Sequence, residues 1–106
     1  MKDLNTLRQE IDHIDRQLVS LFEQRMAVTG QVGRYKLAKG LPVLDRSREE
    51  QVLAGKVALL KDPALADDVT DLFEAIMAIS RRQQQKLLDG NKQEKSVCTL
   101  QTFFQK

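Results

Sequence analysis

Arg25 interrupts an apolar stripe, and its guanidinium is the first group in the chain that is well placed to bind an anion. Apolar residues recur around it at alternating steps of three and four: Leu4, Leu7, Ile11, Ile14, Leu18 and Leu21 before it, and Val28, Val32 and Tyr35 after it. That spacing is typical of one face of a long helix. Because an unpaired charge in an apolar site is very costly, Arg25 needs a negative partner, either a side chain or a ligand.

Further polar residues follow the inward faces of the predicted helices. Lys36 lies eleven residues after Arg25, three turns and about 16 Å further along nearly the same face. The others continue the apolar lines of two later helices: Asp45, Arg48 and Glu49 precede Val52 and Leu53, and Ser80 and Gln84 follow Val69, Phe73 and Ile76. Three packed helices would bring this polar set together as a cationic pocket for a small anion.

Each residue of the set also has an ordinary structural interpretation. Ion pairs on a helix surface, such as Glu49 with Arg46 or Arg48, are common and contribute little stability. A single polar residue in a helix seam often sets register or oligomeric state. For seven inward-facing residues together, one binding pocket is a better explanation than seven independent accidents.

Arg8 is a separate case because of its distance from the rest of the set. It precedes Arg25 by seventeen residues, which is about 25 Å along a helix. One small ligand cannot reach both side chains on the same helix. If Arg8 belongs to the site, it must come from an antiparallel partner chain; taken alone, it is a solvated surface charge.

Residue counts argue against several other kinds of site. His13 is the only histidine and Cys98 the only cysteine, so the sequence supports no Ser/His/Asp triad, metal site or disulfide framework. A net charge of +2 argues against a protein that coats DNA. No apolar run approaches the roughly 18 residues of a membrane span, and the N-terminus has no signal-peptide core. We expect a cytoplasmic protein that binds neither nucleic acid nor membrane, with the Arg81–Arg82 pair on a solvated helix face.

Composition and periodicity predict an all-α fold of three helices. Five glycines and two prolines in 106 residues leave long uninterrupted segments. The first helix should run from about residue 3 or 5 to about 38, with Gly30 and Gly33 allowing close packing. The second should start between Asp45 and Ser47, either with a capping box of Ser47 and Glu50 or with Asp45 as the cap, and end at residues 61–63.

The third helix should open at residues 62–63, bury Leu65, Val69, Leu72, Phe73 and Ile76, and end at residues 89–91. The first helix would be a rod of roughly 52 Å, whereas a compact globule of this size has a radius of gyration near 13 Å. We therefore expect a second chain to cover the remaining seam in an intertwined homodimer. Residues 1–90 form the predicted domain, and 91–106 are a tail of unassigned role.

The polar set, taken in order, resembles the all-helical (AroQ-type) chorismate mutases over about residues 4–88. The motifs are Leu7-Arg8-x-x-Ile11-x-x-Ile14-Asp15, Arg25, Val32-Gly33-x-x-Lys36, Pro42-Val43-x-Asp45-x-x-Arg48-Glu49 and Ser80-x-x-x-Gln84. The resemblance implies a domain-swapped homodimer of three-helix protomers with two active sites. It also implies rearrangement of chorismate to prephenate by a [3,3]-sigmatropic step, without cofactor or metal.

The resemblance also implies a role for each residue. Arg25, with Arg8 from the other protomer, would clamp the substrate carboxylates, and Ser80 would assist at the ring carboxylate. Lys36 and Gln84 would donate to the ether oxygen, where negative charge develops as the C–O bond breaks. With a neutral amide at position 84, activity should persist through neutral pH.

Arg48 and Glu49, with the backbone near Asp45, would hold the ring hydroxyl end. The nearest alternative is isochorismate-pyruvate lyase, which shares the fold and a similar cationic pocket; Asp45 and Glu49 favour the mutase. A non-catalytic helical dimerisation or regulatory module is the alternative from another class. It would keep or gain dimer stability when Arg25 is replaced, with no turnover to lose.

Overall fold

A computed structural model describes residues 1–92 of the chain, with side chains described as far as Gly90. It contains three α-helices, α1 (Leu4–Lys39), α2 (Arg46–Ala58) and α3 (Ala66–Lys92), and a short 3-10 turn at Pro63–Leu65. The all-α prediction is confirmed for this part of the chain. Most of the predicted tail, residues 93–106, lies outside the described residues.

The long first helix is capped at both ends by its own sequence. The carboxylate of Asp3 accepts a hydrogen bond from the backbone N–H of Thr6 at 2.7 Å, which satisfies one of the free donors of the first turn. Gly40 ends the helix in the left-handed conformation, with φ at 67°, a position that favours glycine. The 36 residues between these caps make a rod of about 54 Å.

The core of the protomer lies where α3 packs against α2 and against the C-terminal part of α1. Met77 is buried there, and so are Gly30 and Gly33 of α1. A β-carbon on Gly33 would lie 2.8 Å from Cγ of Gln84 and 3.0 Å from Cδ1 of Leu87. The close approach of α1 and α3 therefore requires glycine at this position.

The N-terminal part of α1 has no packing partner among residues 1–92. Every residue from 1 to 24 is exposed, and the six apolar residues of the seam retain between 41% and 60% of their accessible surface: Leu4, Leu7, Ile11, Ile14, Leu18 and Leu21. The radius of gyration is 18.2 Å, well above the roughly 13 Å of a compact chain of this length. The prediction that the first helix extends beyond a compact protomer is confirmed.

Helix α2 begins within the predicted range but ends earlier than predicted. Its N-cap is Asp45, whose Oδ1 accepts from the backbone N–H of Arg48 at 3.0 Å. Of the two predicted caps, Asp45 is confirmed and the capping box of Ser47 and Glu50 is wrong, because Ser47 lies inside the helix. The helix ends at Ala58 with Leu59 as C-cap, before the predicted boundary at residues 61–63.

Helix α3 begins and ends later than predicted. Asp62 caps the preceding 3-10 turn by accepting from the backbone N–H of Ala64, and α3 proper begins at Ala66. The predicted end at residues 89–91 is wrong, because Gly90 keeps a negative φ and lowers helix propensity by only about 1 kcal/mol. Leu65 and Leu72 were predicted to be buried but are 46% and 51% exposed. Periodicity identifies an apolar face without showing whether the same protomer covers it.

Candidate functional site

One cavity of about 380 Å³ collects the predicted polar set from all three helices and from the loop between α1 and α2. Seven of the eight predicted site residues line it: Arg25, Lys36, Asp45, Arg48, Glu49, Ser80 and Gln84. Its apolar walls come from Val28, Val32, Val43, Val52 and Met77. Arg8 does not line it, since it lies in the exposed N-terminal part of α1. The inward polar positions therefore converge as the sequence predicted, and Arg8 stands apart.

The guanidinium of Arg25 has a neutral partner in the protomer. Its Nη1 donates to Oγ of Ser80 at 3.0 Å, and that hydroxyl donates to the backbone carbonyl of Ile76 at 3.1 Å. Ser80 is only 7% exposed. Among the described residues the salt bridges are Lys2–Glu10 and Arg81–Glu49, so no carboxylate in this part of the chain neutralises Arg25. Its charge remains available to an anion in the cavity.

Two hydrogen-bond donors, Lys36 and Gln84, are held in fixed positions by backbone carbonyls. Nζ of Lys36 donates to the carbonyl of Val43 at 2.8 Å. Nε2 of Gln84, a side chain only 7% exposed, donates to the carbonyl of Thr29 at 3.2 Å. An ammonium has three N–H groups and an amide has two. Each side chain therefore keeps a donor for a second acceptor.

The start of α2 supplies the acidic part of the cavity. The capping bond of Asp45 fixes the first turn, which carries Arg48 and Glu49. The carboxylate of Glu49 is bound by Arg81 of α3, whose Nη1 donates to Oε1 at 2.6 Å and also to Oε2. Side-chain exposure is 25% for Glu49 and 37% for Arg81. The pair joins α2 to α3 at the wall of the cavity.

The predicted position of Arg81 is wrong. We expected it on a solvated face with Arg82, but it is half-buried and lines the cavity. The signal was available, because Arg81 follows buried Met77 by four residues and precedes Gln84 by three, which puts all three on one helix face. Lys56, four residues after Val52, also lines the cavity and was not predicted.

Other features of the described residues do not compete with this cavity. A larger groove of about 510 Å³ lies beside it, between α2 and α3, but of the predicted set it contains only Glu49. Within residues 1–92 no three His, Cys, Asp or Glu side chains are grouped to hold a metal ion. None of the helices described here is long and apolar enough to cross a membrane.

Comparison with known proteins gives a consistent match over the same residues. Residues 7–85 match the family model described as chorismate mutase type II. The T-protein of Haemophilus influenzae is 37% identical over 78 residues, which is 73% of this chain and 21% of that protein. The bifunctional chorismate mutase/prephenate dehydratase of Escherichia coli K12 is 36% identical over 86 residues, covering 80% of this chain and 22% of that protein. The chain thus spans about a fifth of the length of these relatives.

A solved structure gives the same picture of the fold. A conserved hypothetical protein from Pyrococcus furiosus is similar with a TM-score of 0.64 and 36% sequence identity. The match covers 76% of this chain and 93% of that chain. The similarity in sequence and in backbone therefore extends over most of the three-helix unit.

Proposed function

Because the chain belongs to the chorismate mutase type II family, we propose that it rearranges chorismate to prephenate in phenylalanine and tyrosine biosynthesis. The observation that carries the proposal is the single cavity in which seven predicted residues meet. The reaction is intramolecular and pericyclic, so it needs no nucleophile and no general base. It needs a dianion held in a compact, near-attack geometry, and arginine forks suit that task.

We assign the carboxylate end of the substrate to Arg25 and Ser80. Their hydrogen bond at 3.0 Å preorganises the guanidinium, and no described carboxylate competes for it. A substrate carboxylate would supply the negative partner that a charge on an apolar helix face requires. The alternative of a purely structural Arg25 has less support, since a structural ion pair would need an acidic side chain here.

We assign the ether oxygen to Lys36 and Gln84. Both side chains are anchored to backbone carbonyls and keep a free N–H for a further acceptor. Negative charge grows on the ether oxygen as the C–O bond breaks ahead of C–C bond formation. Donors that are fixed beforehand stabilise that charge more in the transition state than in the ground state.

We assign the ring hydroxyl to Glu49 and Arg48, with the backbone near Asp45. Asp45 is exposed and its Oδ1 caps the first turn of α2, whereas Glu49 is half-buried in the cavity wall; this favours Glu49 as the carboxylate that accepts from the hydroxyl. The presence of Asp45 and Glu49 in the cavity favours the mutase over isochorismate-pyruvate lyase. The proposed catalytic domain spans residues 1–90, and a cytoplasmic location is part of the proposal.

The active unit that we propose is a domain-swapped homodimer. Six half-exposed apolar residues in the N-terminal part of α1 are not covered by any other part of the chain that the structure describes. Full burial of a leucine or isoleucine is worth about 1.5–3 kcal/mol, so covering six that are half exposed would contribute roughly 1 kcal/mol each. An antiparallel second α1 would bring Arg8 of the other protomer to the cavity, which its own Arg8 cannot reach.

The test is conversion of chorismate at neutral pH, with chemical identification of the product. Wild-type protein should form prephenate, and Arg25→Met should keep the helical fold and the dimer while losing turnover. Light scattering on both proteins reports the oligomeric state. A folded wild-type dimer that leaves chorismate unchanged refutes the proposal; release of pyruvate from isochorismate would then identify the lyase.

A further inference from the structure

Arg81 forms a salt bridge with Glu49, one of the residues assigned to the substrate ring hydroxyl. Its Nη1 donates to both oxygens of Glu49, with one distance at 2.6 Å. It also lines the same cavity, on the helix face shared with Met77 and Gln84. The two residues are 32 positions apart in the sequence and lie on different helices. The pair therefore fixes the Glu49 carboxylate with respect to α3 as well as to α2.

The bond pattern leaves Glu49 able to accept from a second donor. Each carboxylate oxygen has two lone pairs, and the contact with Nη1 occupies one on each oxygen. One lone pair on each oxygen therefore remains for a hydroxyl group. A carboxylate that is held by a guanidinium in this way has a defined orientation, whereas an isolated glutamate on the first turn of α2 would sample several rotamers.

The charge of Glu49 is also unfavourable for the proposed substrate. A dianion that enters the cavity meets cations at Arg25, Lys36 and Arg48 but approaches a carboxylate at its hydroxyl end. Like charges repel strongly where water is excluded. The cation at Arg81 offsets that repulsion without removing the acceptor that the hydroxyl needs.

We propose that Arg81 is a positioning residue, which acts through Glu49 to orient its carboxylate for the substrate ring hydroxyl and to offset its charge against the dianion; this role rests on the proposed function. Because ring binding depends on the pair, its loss should act mainly on KM. A hydrogen bond to a charged group that is lost in a cavity corresponds to about a tenfold change or more.

The experiment is a double-mutant cycle on prephenate formation. Arg81→Met, which keeps a long side chain but cannot donate, is measured in the wild-type and Glu49→Gln backgrounds. In the wild type we expect KM to rise about tenfold with a smaller change in kcat. In the Glu49→Gln background the same substitution should change kcat/KM by less than about twofold, because no carboxylate remains to be oriented or offset.

The matched control is Arg82→Met. Arg82 is the neighbouring arginine on α3, is exposed, and does not line the site cavity, so its loss should leave both kinetic constants unchanged. Arg81→Lys keeps the charge but not the planar guanidinium, so its KM should lie between those of the wild type and Arg81→Met. It also serves as the second variant if Arg81→Met does not fold. Circular dichroism reports folding of every variant.

Each outcome separates this proposal from the function on which it rests. Equal losses from Arg81→Met in the two backgrounds, or a loss no larger than that of Arg82→Met, would overturn the positioning role while wild-type turnover stands. No prephenate from folded wild-type protein would overturn the proposed function and this role together. Coupled losses with normal turnover in the control support the role.

Discussion

Replacing Gly33 with alanine tests whether the spacing of α1 and α3 sets the activity. A β-carbon at this position would lie 2.8 Å from Cγ of Gln84, a side chain that is 7% exposed and bonded to the carbonyl of Thr29. The contact is with the middle of a confined side chain. The side chain cannot swing aside into solvent, so either Gln84 or the whole of α3 must move.

The structure gives the size of the displacement. Ordinary contact for a β-carbon begins at 3.4 Å, so Cγ of Gln84 must retreat by about 0.6 Å. A shift of about 1 Å at a catalytic group can cost on the order of 100-fold in rate. We therefore expect Gly33→Ala to lower kcat by about 10-fold to 100-fold. The overpacked contact should lower the free energy of unfolding by about 1–3 kcal/mol. This loss cancels or exceeds the gain of about 1 kcal/mol from the higher helix propensity of alanine.

Two other glycines make matched controls for the assay of prephenate formation and for chemical unfolding. A β-carbon on Gly55, in α2, meets nothing within 4 Å, so Gly55→Ala should raise the free energy of unfolding by up to about 1 kcal/mol with unchanged activity. A β-carbon on Gly30 would lie 3.2 Å from Nε2 of Gln83, whose amide is hydrogen-bonded to Thr29 and Met26 and lies outside the site cavity. The activity and stability of Gly30→Ala should therefore lie between those of Gly33→Ala and Gly55→Ala. Gly33→Ala with wild-type kcat and the stability gain of Gly55→Ala would refute the reasoning.

Three further predictions address the ether donor, the dimer and the first helix. In Gln84→Glu the new side chain donates a hydrogen bond only when it is protonated. Prephenate formation by this variant should therefore fall by about a hundredfold from acidic to neutral pH, while the wild type stays active. Parallel pH profiles of the two proteins would count against a donor at this position. Arg8→Met and Arg25→Met should each be inactive alone, but mixing them should restore about a quarter of wild-type activity after subunit exchange. The reason is that about half of the dimers are then mixed and each mixed dimer has one intact site out of two. No recovery in proven heterodimers would exclude Arg8 from the partner's site. The backbone N–H of Thr6, and then its side chain, lower the pKa of Asp3 below the ordinary 3.8, so the cap is complete above that value and is lost as the pH falls through the folded pKa. Asp3→Asn, which caps without titrating, should flatten that loss of helicity by circular dichroism, and an unchanged acid profile would contradict it.

The fold was largely predictable because its signals are local. An apolar period of three and four residues, an aspartate before each helical segment and few internal breakers define α1, α2 and α3 to within a few residues. The open alternatives and the errors came where local signals compete or run out. Asp45 and Ser47 are both good caps, and only the folded first turn decides between them. Leu72 lies on an apolar face that the described residues leave half exposed, and a single sequence cannot distinguish such a face from a core position.

Site residues were predictable where a polar side chain lies on an otherwise apolar helix face. Arg25 and Gln84 lie on apolar stripes, so their faces were evident from periodicity alone, and the cavity contains them both. Arg81 gave a weaker signal, because two consecutive arginines lie about 100° apart on a helix, and one of them must face away from the cavity. Its partner, Glu49, is 32 residues distant. The contact between Arg81 and Glu49 depends on how closely α2 packs against α3, and neither residue encodes that distance locally. The inward polar positions therefore follow from the sequence, whereas the pairs they form require the assembled helices.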